Sequence, residues 1–557
     1  MKFSQIPYKR YEIEKLQQAF AHFSARADKG AQELLAARKE FLEALSAYQT
    51  AAALAFCRFT LNTKDAFYQA EKGYYDCVGP QEAHILTEYG KIMLSHRTQA
   101  EGKVNPILFR RYECAEKSFA PCVEEDCRRE NEITTEYSKL MSELVVQWQG
   151  KGQPLSVVRG FLQDNDRTVR RAAAAAIGKA LEGGRDRLDD IFDRLVKVRT
   201  QIAQKLGYKN YVELGYYRME RIDYDRKMVE QFRKNVEQDL VPIIAKLKGE
   251  LAQELKLDKI FFYDDEIYNA GGEPRPMGGK AQIMSAAQEM YDRMHPALGA
   301  CMRRMQESEA FDVEARDGKW GGGYCEGFPQ YKLPFILANF NGTAADIDVI
   351  THEFGHAYAF SRAFEAEDPE LGIGGMETAE CHSMSMEFFA EKFMDKFFAD
   401  PAAYCRSHLL SSLCFIPYGV IVDEFQHIVY ENPQLTPAQR NRVYLDLEKK
   451  YRPYLSFEGI PYLEEGTRWQ FQMHIFENPF YYIDYCLAQT VALAFFVRMR
   501  EDYEGALRAY LNFAEAGGSK TFRTLVREAG LPDPFGEGAL SSLSQKIVSI
   551  AEEERKK

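Results

Sequence analysis

Apolar residues recur at intervals of three and four along most of the chain, and this pattern predicts a mainly helical protein. Residues 17–94 are rich in Ala, Leu, Glu and Gln, a composition that favours long amphipathic helices. We expect an antiparallel helical hairpin in this range, broken near Gly73 and near Gly79-Pro80. Further on, Asp164-Asn165-Asp166 offers N-caps for a helix that continues to Ala180.

The most specific motif of the chain is His352-Glu353-x-x-His356, which follows apolar residues at helical spacing. Positions i and i+4 of a helix share a face, so both imidazoles can bind one metal ion. Two imidazoles suit zinc, and Glu353 can take a proton from a water held on the metal. The alternative is a packed helix that carries two histidines and an unrelated acid. Gly355 weakens a helix by about 1 kcal/mol relative to alanine, so we expect another segment to approach it closely.

A tetrahedral zinc site needs a third protein ligand besides the two histidines, with the fourth position left for water. Glu380 is our candidate, because it stands among apolar residues where an ordinary solvated acid is unusual. Glu387 follows two helical turns later and can orient a ligand histidine, while Glu377 is a second candidate for either role. His382 and Cys381 lie off the face of Glu380, and we expect His382 to be packed or to support a ligand.

The segment just before the motif helix differs in character from the helical regions. Residues 333–342 indicate a strand and a turn, and Pro334 suggests that the strand lies at a sheet edge. An edge strand beside a metal site can pair with an extended peptide, although a purely structural strand fits the same residues. The glycines at 321–323 predict either a mobile lip or an ordinary turn.

A second cluster of candidate residues lies more than a hundred positions downstream. Asn478 as N-cap and Pro479 in the first turn predict a helix on which Tyr481 and Tyr485 share a face. His474 is expected in the loop before that helix. Phenol and imidazole donors can stabilise the oxyanion that forms in amide hydrolysis, but the same residues also fit an aromatic core.

Composition limits the partners and the cellular compartment that the chain is expected to have. The 557 residues carry a formal net charge of −12, which argues against nucleic-acid binding. Eleven cysteines without a C-x-x-C pair fit a reducing compartment, and the N-terminus lacks the apolar core of a signal peptide. The longest apolar run, Leu409 to Val422, is interrupted by two serines and Pro417, so no membrane span is expected. We therefore predict a cytoplasmic protein.

The motifs together resemble those of the oligoendopeptidase F and thimet oligopeptidase family of zinc metallopeptidases, and look most like the bacterial oligoendopeptidase F branch. The segments that carry the resemblance are His352-Glu353-Phe354-Gly355-His356-Ala357, Glu380-x-x-Ser383-x-x-x-Glu387, and His474 followed by Phe480-Tyr481-Tyr482-x-x-Tyr485.

This resemblance implies a mainly α fold in which two helical lobes enclose a deep substrate channel, with a small β-sheet beside the zinc helix. We expect an N-terminal helical lobe at 1–185 and a catalytic domain at 186–557. The resemblance implies one Zn²⁺ held by His352, His356 and Glu380, with Glu353 as general base. It implies that His474 and Tyr485 aid the transition state, and leaves open whether Tyr481 or Tyr482 joins them.

The implied function is hydrolysis of internal bonds in short unstructured peptides by a monomer or small homo-oligomer. A helical zinc carboxypeptidase is the first alternative, since it would share the H-E-x-x-H motif and a downstream glutamate. A helical scaffold or peptide-binding protein with an inactive metal motif is the second, although the intact Glu353 counts against it.

Overall fold

The computed structural model describes residues 1–554, and these residues form two compact units that each draw on separate segments of the chain. Unit 1 comprises Met1–Glu116, Pro274–Pro401 and Val491–Pro532. Unit 2 comprises Lys117–Glu273, Ala402–Thr490 and the described residues from 533 to 554. The division of the chain at residues 185 and 186 stays a prediction.

Helices account for most of the described chain. Up to residue 273 the helices and strands are α1 (Ile13–Ala27), α2 (Ala31–Leu61), α3 (Ala66–Ser95), α4 (Arg97–Ala100), α5 (Pro106–Ser118), α6 (Glu124–Glu143), β1 (Val145–Trp148), β2 (Lys151–Pro154), α7 (Leu155–Gly160), α8 (Arg167–Gly183), α9 (Arg185–Lys205), α10 (Tyr211–Arg218), α11 (Arg226–Asn235), α12 (Val241–Glu254) and β3 (Ile260–Phe261).

After residue 273 they are α13 (Lys280–Met294), α14 (Pro296–Glu307), β4 (Phe311–Glu314), β5 (Tyr324–Phe328), β6 (Leu333–Phe340), α15 (Ala345–Ala363), α16 (Met376–Ala390), α17 (Pro401–Glu431), α18 (Pro437–Tyr451), β7 (Leu455–Ser456), α19 (Met473–Glu477), α20 (Tyr482–Glu501), α21 (Tyr503–Ala516), α22 (Phe522–Glu528) and α23 (Ala539–Glu554). The prediction of a mainly helical protein with a small sheet beside the motif helix is confirmed.

The N-terminal hairpin forms, but its turn lies elsewhere than predicted. Helix α3 runs without interruption through Gly73 and Pro80, and the break falls before it, between α2 and α3. There the Asp65 side chain accepts hydrogen bonds from the backbone N–H groups of Phe67 and Tyr68, at 2.9 and 3.2 Å. A capping carboxylate thus sets the helix start, and the predicted break points were wrong.

The sheet of unit 1 lies beside the motif helix, and its strand order is β4-β6-β5. Strand β6 pairs in parallel with β4 and antiparallel with β5, with Ile336 opposite both Phe311 and Cys325. Pro334 therefore lies on the central strand, and the edge strand beside it is β5. The expectation of an edge position at Pro334 was wrong. Burial dictates this order, because residues 333–338 are all buried.

Helix α17 is long and apolar enough to cross a membrane, and is the one such helix among the described residues. It continues through Pro417, which interrupts its apolar run but not the helix. About 61% of its most apolar window is buried within the protein. Length and apolarity are also properties of core helices, so this helix is weak evidence for a membrane span.

Candidate functional site

The histidines of the motif lie on α15, which packs closely against α16. Gly355 is the point of closest approach, since a Cβ there would come within 2.4 Å of the His382 carbonyl oxygen and 2.6 Å of the Ser383 Cα. No residue larger than glycine fits so near another backbone. This contact brings the α16 face that carries Glu380 against the α15 face that carries the two histidines.

Three donor atoms converge at this helix pair. The Nε2 atoms of His352 and His356 lie 3.4 and 3.5 Å from Oε2 of Glu380, and ligand atoms of all three residues lie within 4.8 Å of one another. Ligands at about 2.05 Å from a tetrahedral zinc are about 3.3 Å apart. The cluster therefore has the donor set and two of the spacings of a three-ligand zinc site.

Glu387 fixes the orientation of the first histidine. Its Oε1 lies 2.6 Å from Nδ1 of His352, so a neutral ring that donates there turns the Nε2 lone pair toward Glu380. Two acceptor atoms then face each other at 3.4 Å, an arrangement that needs a cation or an added proton between them. The Nδ1 atom of His356 is buried and has no hydrogen-bond partner in residues 1–554.

Glu380 of the cluster and the neighbouring acid Glu353 differ in their surroundings. Burial raises the pKa of Glu353 above its ordinary value. Burial alone would also raise the pKa of Glu380, but its contacts with His352 and His356 hold it well below its ordinary value when those rings are protonated. The Ser383 hydroxyl also lies 3.1 Å from Glu380 Oε2. Glu380 is thus held as an anion, whereas Glu353 favours accepting a proton.

The other candidates of this region lie outside the donor cluster. Glu377 stands in the first turn of α16, next to Gly375. His382 is fully buried against the Phe513 ring, with centroids 5.7 Å apart. Neither ring nitrogen of His382 has a hydrogen-bond partner within the described residues, and burial lowers its pKa to about 3. Of the two expectations for His382, a packed ring and a support for a metal ligand, these contacts favour the packed ring. Cys381 is buried as well.

The glycine-rich segment before β5 is an ordered turn beside Glu353. A Cβ at Gly323 would lie 3.9 Å from Glu353 Oε1. The Asn339 side-chain amide donates to the carbonyl oxygens of Trp320 and Gly322, at 3.0 and 2.8 Å. The Trp320 N–H donates to Thr60 O at 2.8 Å. Of the two interpretations of this segment, these bonds favour the turn over the mobile lip.

Unit 2 holds the second cluster, in which one histidine meets three tyrosines. The ring of His474 lies 5.7, 5.0 and 5.9 Å from the rings of Tyr481, Tyr482 and Tyr485. Gln472 contacts Nδ1 of His474 at 2.9 Å. The residues predicted from sequence are thus brought together, although His474 lies on the short helix α19 and not in a loop.

Tyr481 and Tyr482 have different neighbours within this cluster. The Tyr481 ring lies near Tyr485, with centroids 4.7 Å apart. The Tyr482 ring packs against Phe415 and Tyr418 of α17, at 5.6 and 5.8 Å. Tyr482 therefore takes part in the aromatic packing against α17 as well as in the contact with His474.

The backbone before α20 has an unusual conformation that displaces the predicted helix start. Phe480 has φ of 70°, which ends any helix begun at Pro479, so α20 begins at Tyr482. Three contacts hold Phe480. Its N–H donates to Gln426 Oε1 at 3.0 Å, its carbonyl accepts from Arg221, and its ring fills the space where Gly215 lacks a side chain.

Arg221 also connects this segment to a buried network. It donates to Oδ1 of Asp484 at 3.1 Å, and the Tyr224 hydroxyl donates to the same oxygen at 2.9 Å. Both side chains of the Arg221–Asp484 pair are fully buried. Sequence reasoning missed Arg221, Gln426 and Gly215, although a glycine at 215 among tyrosines was a signal that another side chain could pack there.

Two family models match the chain. The model for the peptidase M3 N-terminal domain covers residues 3–119. The model for peptidase family M3 covers residues 161–273 and 295–545, which is more than half of the chain.

Solved structures extend the likeness over the whole chain. The structure of PZ peptidase A with an inhibitor is 40% identical and has a TM-score of 0.94, with 99% of each chain covered. A protein from Bacillus anthracis str. Ames, assigned as oligoendopeptidase F, is 36% identical with a TM-score of 0.89 and covers 99% of this chain and 98% of its own.

Among curated proteins, oligopeptidase PepF of Bacillus subtilis (strain 168) is 23% identical over 411 residues, which span 70% of this chain and 58% of the relative. The chain spans less than two thirds of the length of the curated relatives it matches.

The fold and these likenesses define a class, that of the helical peptidases. Within this class, the chain belongs to peptidase family M3. The similarities support its oligoendopeptidase F branch, as its motifs suggested.

Proposed function

We propose that the protein is a zinc-dependent oligoendopeptidase that hydrolyses internal bonds of short, unstructured peptides. The observation that carries this proposal is the convergence of His352, His356 and Glu380 beside the acid Glu353. The relatives named as oligopeptidase or oligoendopeptidase F support the same activity. We place the protein in the cytoplasm as a monomer or small homo-oligomer, with no nucleic-acid or membrane partner.

His352, His356 and Glu380 would hold one Zn²⁺ ion. The donor set of two imidazoles and one carboxylate is typical of catalytic zinc, and the 3.4 and 3.5 Å spacings suit it. When bound, zinc lowers the pKa of a coordinated water and polarises the substrate carbonyl. Glu387 would keep the His352 ring in the orientation that this binding needs.

Glu353 would act as the general base. Its carboxylate takes a proton from the attacking water as the C–O bond forms, and delivers that proton to the amine nitrogen as the C–N bond breaks. The raised pKa supports this role, because a base whose pKa lies nearer neutrality both accepts and returns a proton readily.

His474 and Tyr485 would donate hydrogen bonds to the carbonyl oxygen as negative charge develops on it, with Tyr481 as a further donor. This assignment rests on the family motif and on the meeting of these rings in unit 2. A channel enclosed by two helical lobes, with an N-terminal lobe at 1–185 and a catalytic domain at 186–557, belongs to the same proposal.

A blocked peptide tests this function. A peptide of about ten residues with both ends blocked is incubated with the protein as purified, with a chelator, and with zinc restored, and the cuts are located by mass. We expect internal cuts that the chelator abolishes and zinc restores. Trimming that requires a free C-terminus would indicate a carboxypeptidase. No cleavage of any peptide, with no metal bound, would leave a helical scaffold.

A further inference from the structure

Unit 1 contains a cavity that the proposed catalytic residues do not use. It lies between α2, α3 and β5 and has a volume of about 330 Å³, within the range of small-ligand pockets. Tyr48 and Phe56 of α2 and Tyr75 of α3 supply aromatic walls. Glu82 of α3 and Glu326 of β5 add two carboxyl groups to the lining.

These two carboxyl groups lack compensating cations in the described part of the chain. The Gly327 N–H donates to Glu326 Oε1 at 2.8 Å, and Glu82 accepts a hydrogen bond from Tyr48. The one lysine of the lining, Lys72, is paired with Asp76 at 2.5 Å. With both acids ionised the lining carries an excess of two negative charges. Burial raises the pKa of both Glu82 and Glu326, so this ionised state is disfavoured until a cation enters.

Glu326, like Glu82, is part-buried. Apart from the Gly327 N–H, no group in residues 1–554 is hydrogen-bonded to its side chain. A part-buried carboxylate without a cation beside it carries a desolvation penalty, and the second oxygen of Glu326 stays accessible to a ligand in the cavity. A cationic ligand that enters the cavity would relieve that penalty with a charge-assisted hydrogen bond.

The cavity adjoins the free edge of the sheet that borders Glu353. Strand β5 pairs only with β6 in the described chain, so its other edge is open. Odd positions face α15, since a Cβ at Gly323 would approach Glu353 and one at Gly327 would meet Phe360. Even positions face α2, because the Tyr324 hydroxyl lies 2.6 Å from Thr60 Oγ1.

An extended peptide on this edge would alternate in the same way. Side chains on one of its faces would point to the α15 side and those on the other toward the cavity. Glu326 follows Gly323 by three strand positions, or about 10 Å. The substrate group beside Glu326 would thus lie about three residues from the bond presented to Glu353.

We propose that this cavity is a substrate subsite that binds a cationic nitrogen, with Glu326 as its anionic ligand. The group is a lysine or arginine side chain, or the N-terminal ammonium of a peptide that ends there. This subsite rests on the proposed peptidase function and adds a charge preference at one position of the substrate.

A lysine scan tests the preference. Peptides blocked at both ends carry one lysine moved through successive positions on each side of the cut, with glutamine peptides as reference. We expect lysine to raise kcat/KM about tenfold at one position, about three residues from the cut, because a charge-assisted hydrogen bond is formed there. No gain at any position would overturn the subsite, and this scan of the unaltered protein depends on no variant.

Two variants assign the gain to the cavity. In Glu326→Gln the ratio of lysine to glutamine kcat/KM is expected to fall by about tenfold. Glu314→Gln is the matched control, because Glu314 is an exposed acid of the same sheet that pairs with Lys280. A gain that survives in Glu326→Gln, or is lost equally in both variants, would overturn the assignment.

A measurement of peptide binding tests the cationic subsite independently of the proposed peptidase activity. Fluorescence anisotropy on Glu353→Gln protein measures Kd for the same labelled peptides, whether or not any peptide is cleaved. We expect lysine to lower Kd about tenfold, and the added Glu326→Gln change to remove the difference. Equal Kd values would overturn the subsite even if cleavage occurs. Peptides with a free N-terminus and neutral side chains then show whether the cationic nitrogen is a side chain or the terminus.

Discussion

The histidine–glutamate cluster of unit 1 and the histidine–tyrosine cluster of unit 2 are held in place by different means. Regular backbone builds the first, in which two histidines one turn apart on α15 face an acid on α16. The second depends on Phe480, a non-glycine residue at φ 70°, which three surrounding residues hold.

The first cluster is made rigid by local helical structure, and the second by tertiary contacts. Hydrogen bonds internal to α15 fix the spacing of His352 and His356, and Glu387 fixes one ring. The position of Tyr481 depends instead on a strained residue that only its tertiary contacts maintain. Substitution of its own side chains should therefore perturb the first cluster. The second cluster should also be perturbed by substitution of the residues that hold Phe480.

The largest effect is expected for Glu353→Gln. Loss of the general base should lower kcat by about a thousandfold while the metal ligands remain, since general-base catalysis contributes about 10²–10⁴. Cleavage rates and metal content measured on the same sample check this. Glu365→Gln, an exposed acid paired with Lys332, is the control and should change neither quantity. Near-normal cleavage by metal-loaded Glu353→Gln would refute the assigned role.

Arg221→Ala should have the next largest effect. It acts on the second cluster indirectly, through the backbone of Phe480 and the side chain of Asp484. It leaves Asp484 buried without its cation and removes a donor to Phe480. Breaking a buried pair lowers the free energy of unfolding by about 3–5 kcal/mol. Urea unfolding should show this loss, whereas Arg226→Ala removes a partly exposed pair with Glu431 and should change stability by less than about 1 kcal/mol. Equal small losses in both variants would show that the network does not hold this segment.

Glu387→Gln tests whether Glu387 orients the His352 ring within the first cluster. The amide keeps the size of the side chain but weakens the 2.6 Å contact with His352 Nδ1. Removing such a partner commonly weakens metal binding by about 10–100-fold. Competition with a coloured chelator measures the affinity. Unchanged zinc affinity would mean that the His352 ring is oriented by packing alone.

Gly355→Ala should destabilise the protein by about 1–3 kcal/mol, because its Cβ would overlap the backbone of α16 at His382. Gly249 offers the matched control. It lies within α12, where an added Cβ would meet open space, so alanine there should stabilise the helix by up to about 1 kcal/mol. Thermal unfolding of the two variants measures whether each substitution raises or lowers stability. Stabilisation by both substitutions would contradict the close approach.

The sequence predicts the first cluster well because its geometry is almost entirely local. The four-residue spacing of the histidines and the mid-helix glycine each imply a neighbour on one face. The place of Pro334 could not be predicted this way, since the position of a strand in a sheet depends on residues far along the chain. Central β6 is buried throughout most of its length, and this burial outweighs the missing proline N–H.

The second cluster was predicted in membership but not in conformation. The pattern Asn478-Pro479 is typical of a helix start, yet Phe480 interrupts it. The reason lies in Arg221 and Gln426, which are distant in sequence and bind its carbonyl and N–H. Local propensity cannot reveal such tertiary restraint. Tertiary packing also explains why α3 continues through Pro80, since the helix has buried residues on both sides of the proline.

The most direct test of the metal site is anomalous scattering from crystals grown with zinc, measured above and below the zinc absorption edge. We predict one strong peak at about 2.0–2.2 Å from Nε2 of His352, Nε2 of His356 and a carboxylate oxygen of Glu380. A zinc peak bound elsewhere, with none between these three side chains, would contradict the assignment of this cluster as the catalytic metal centre.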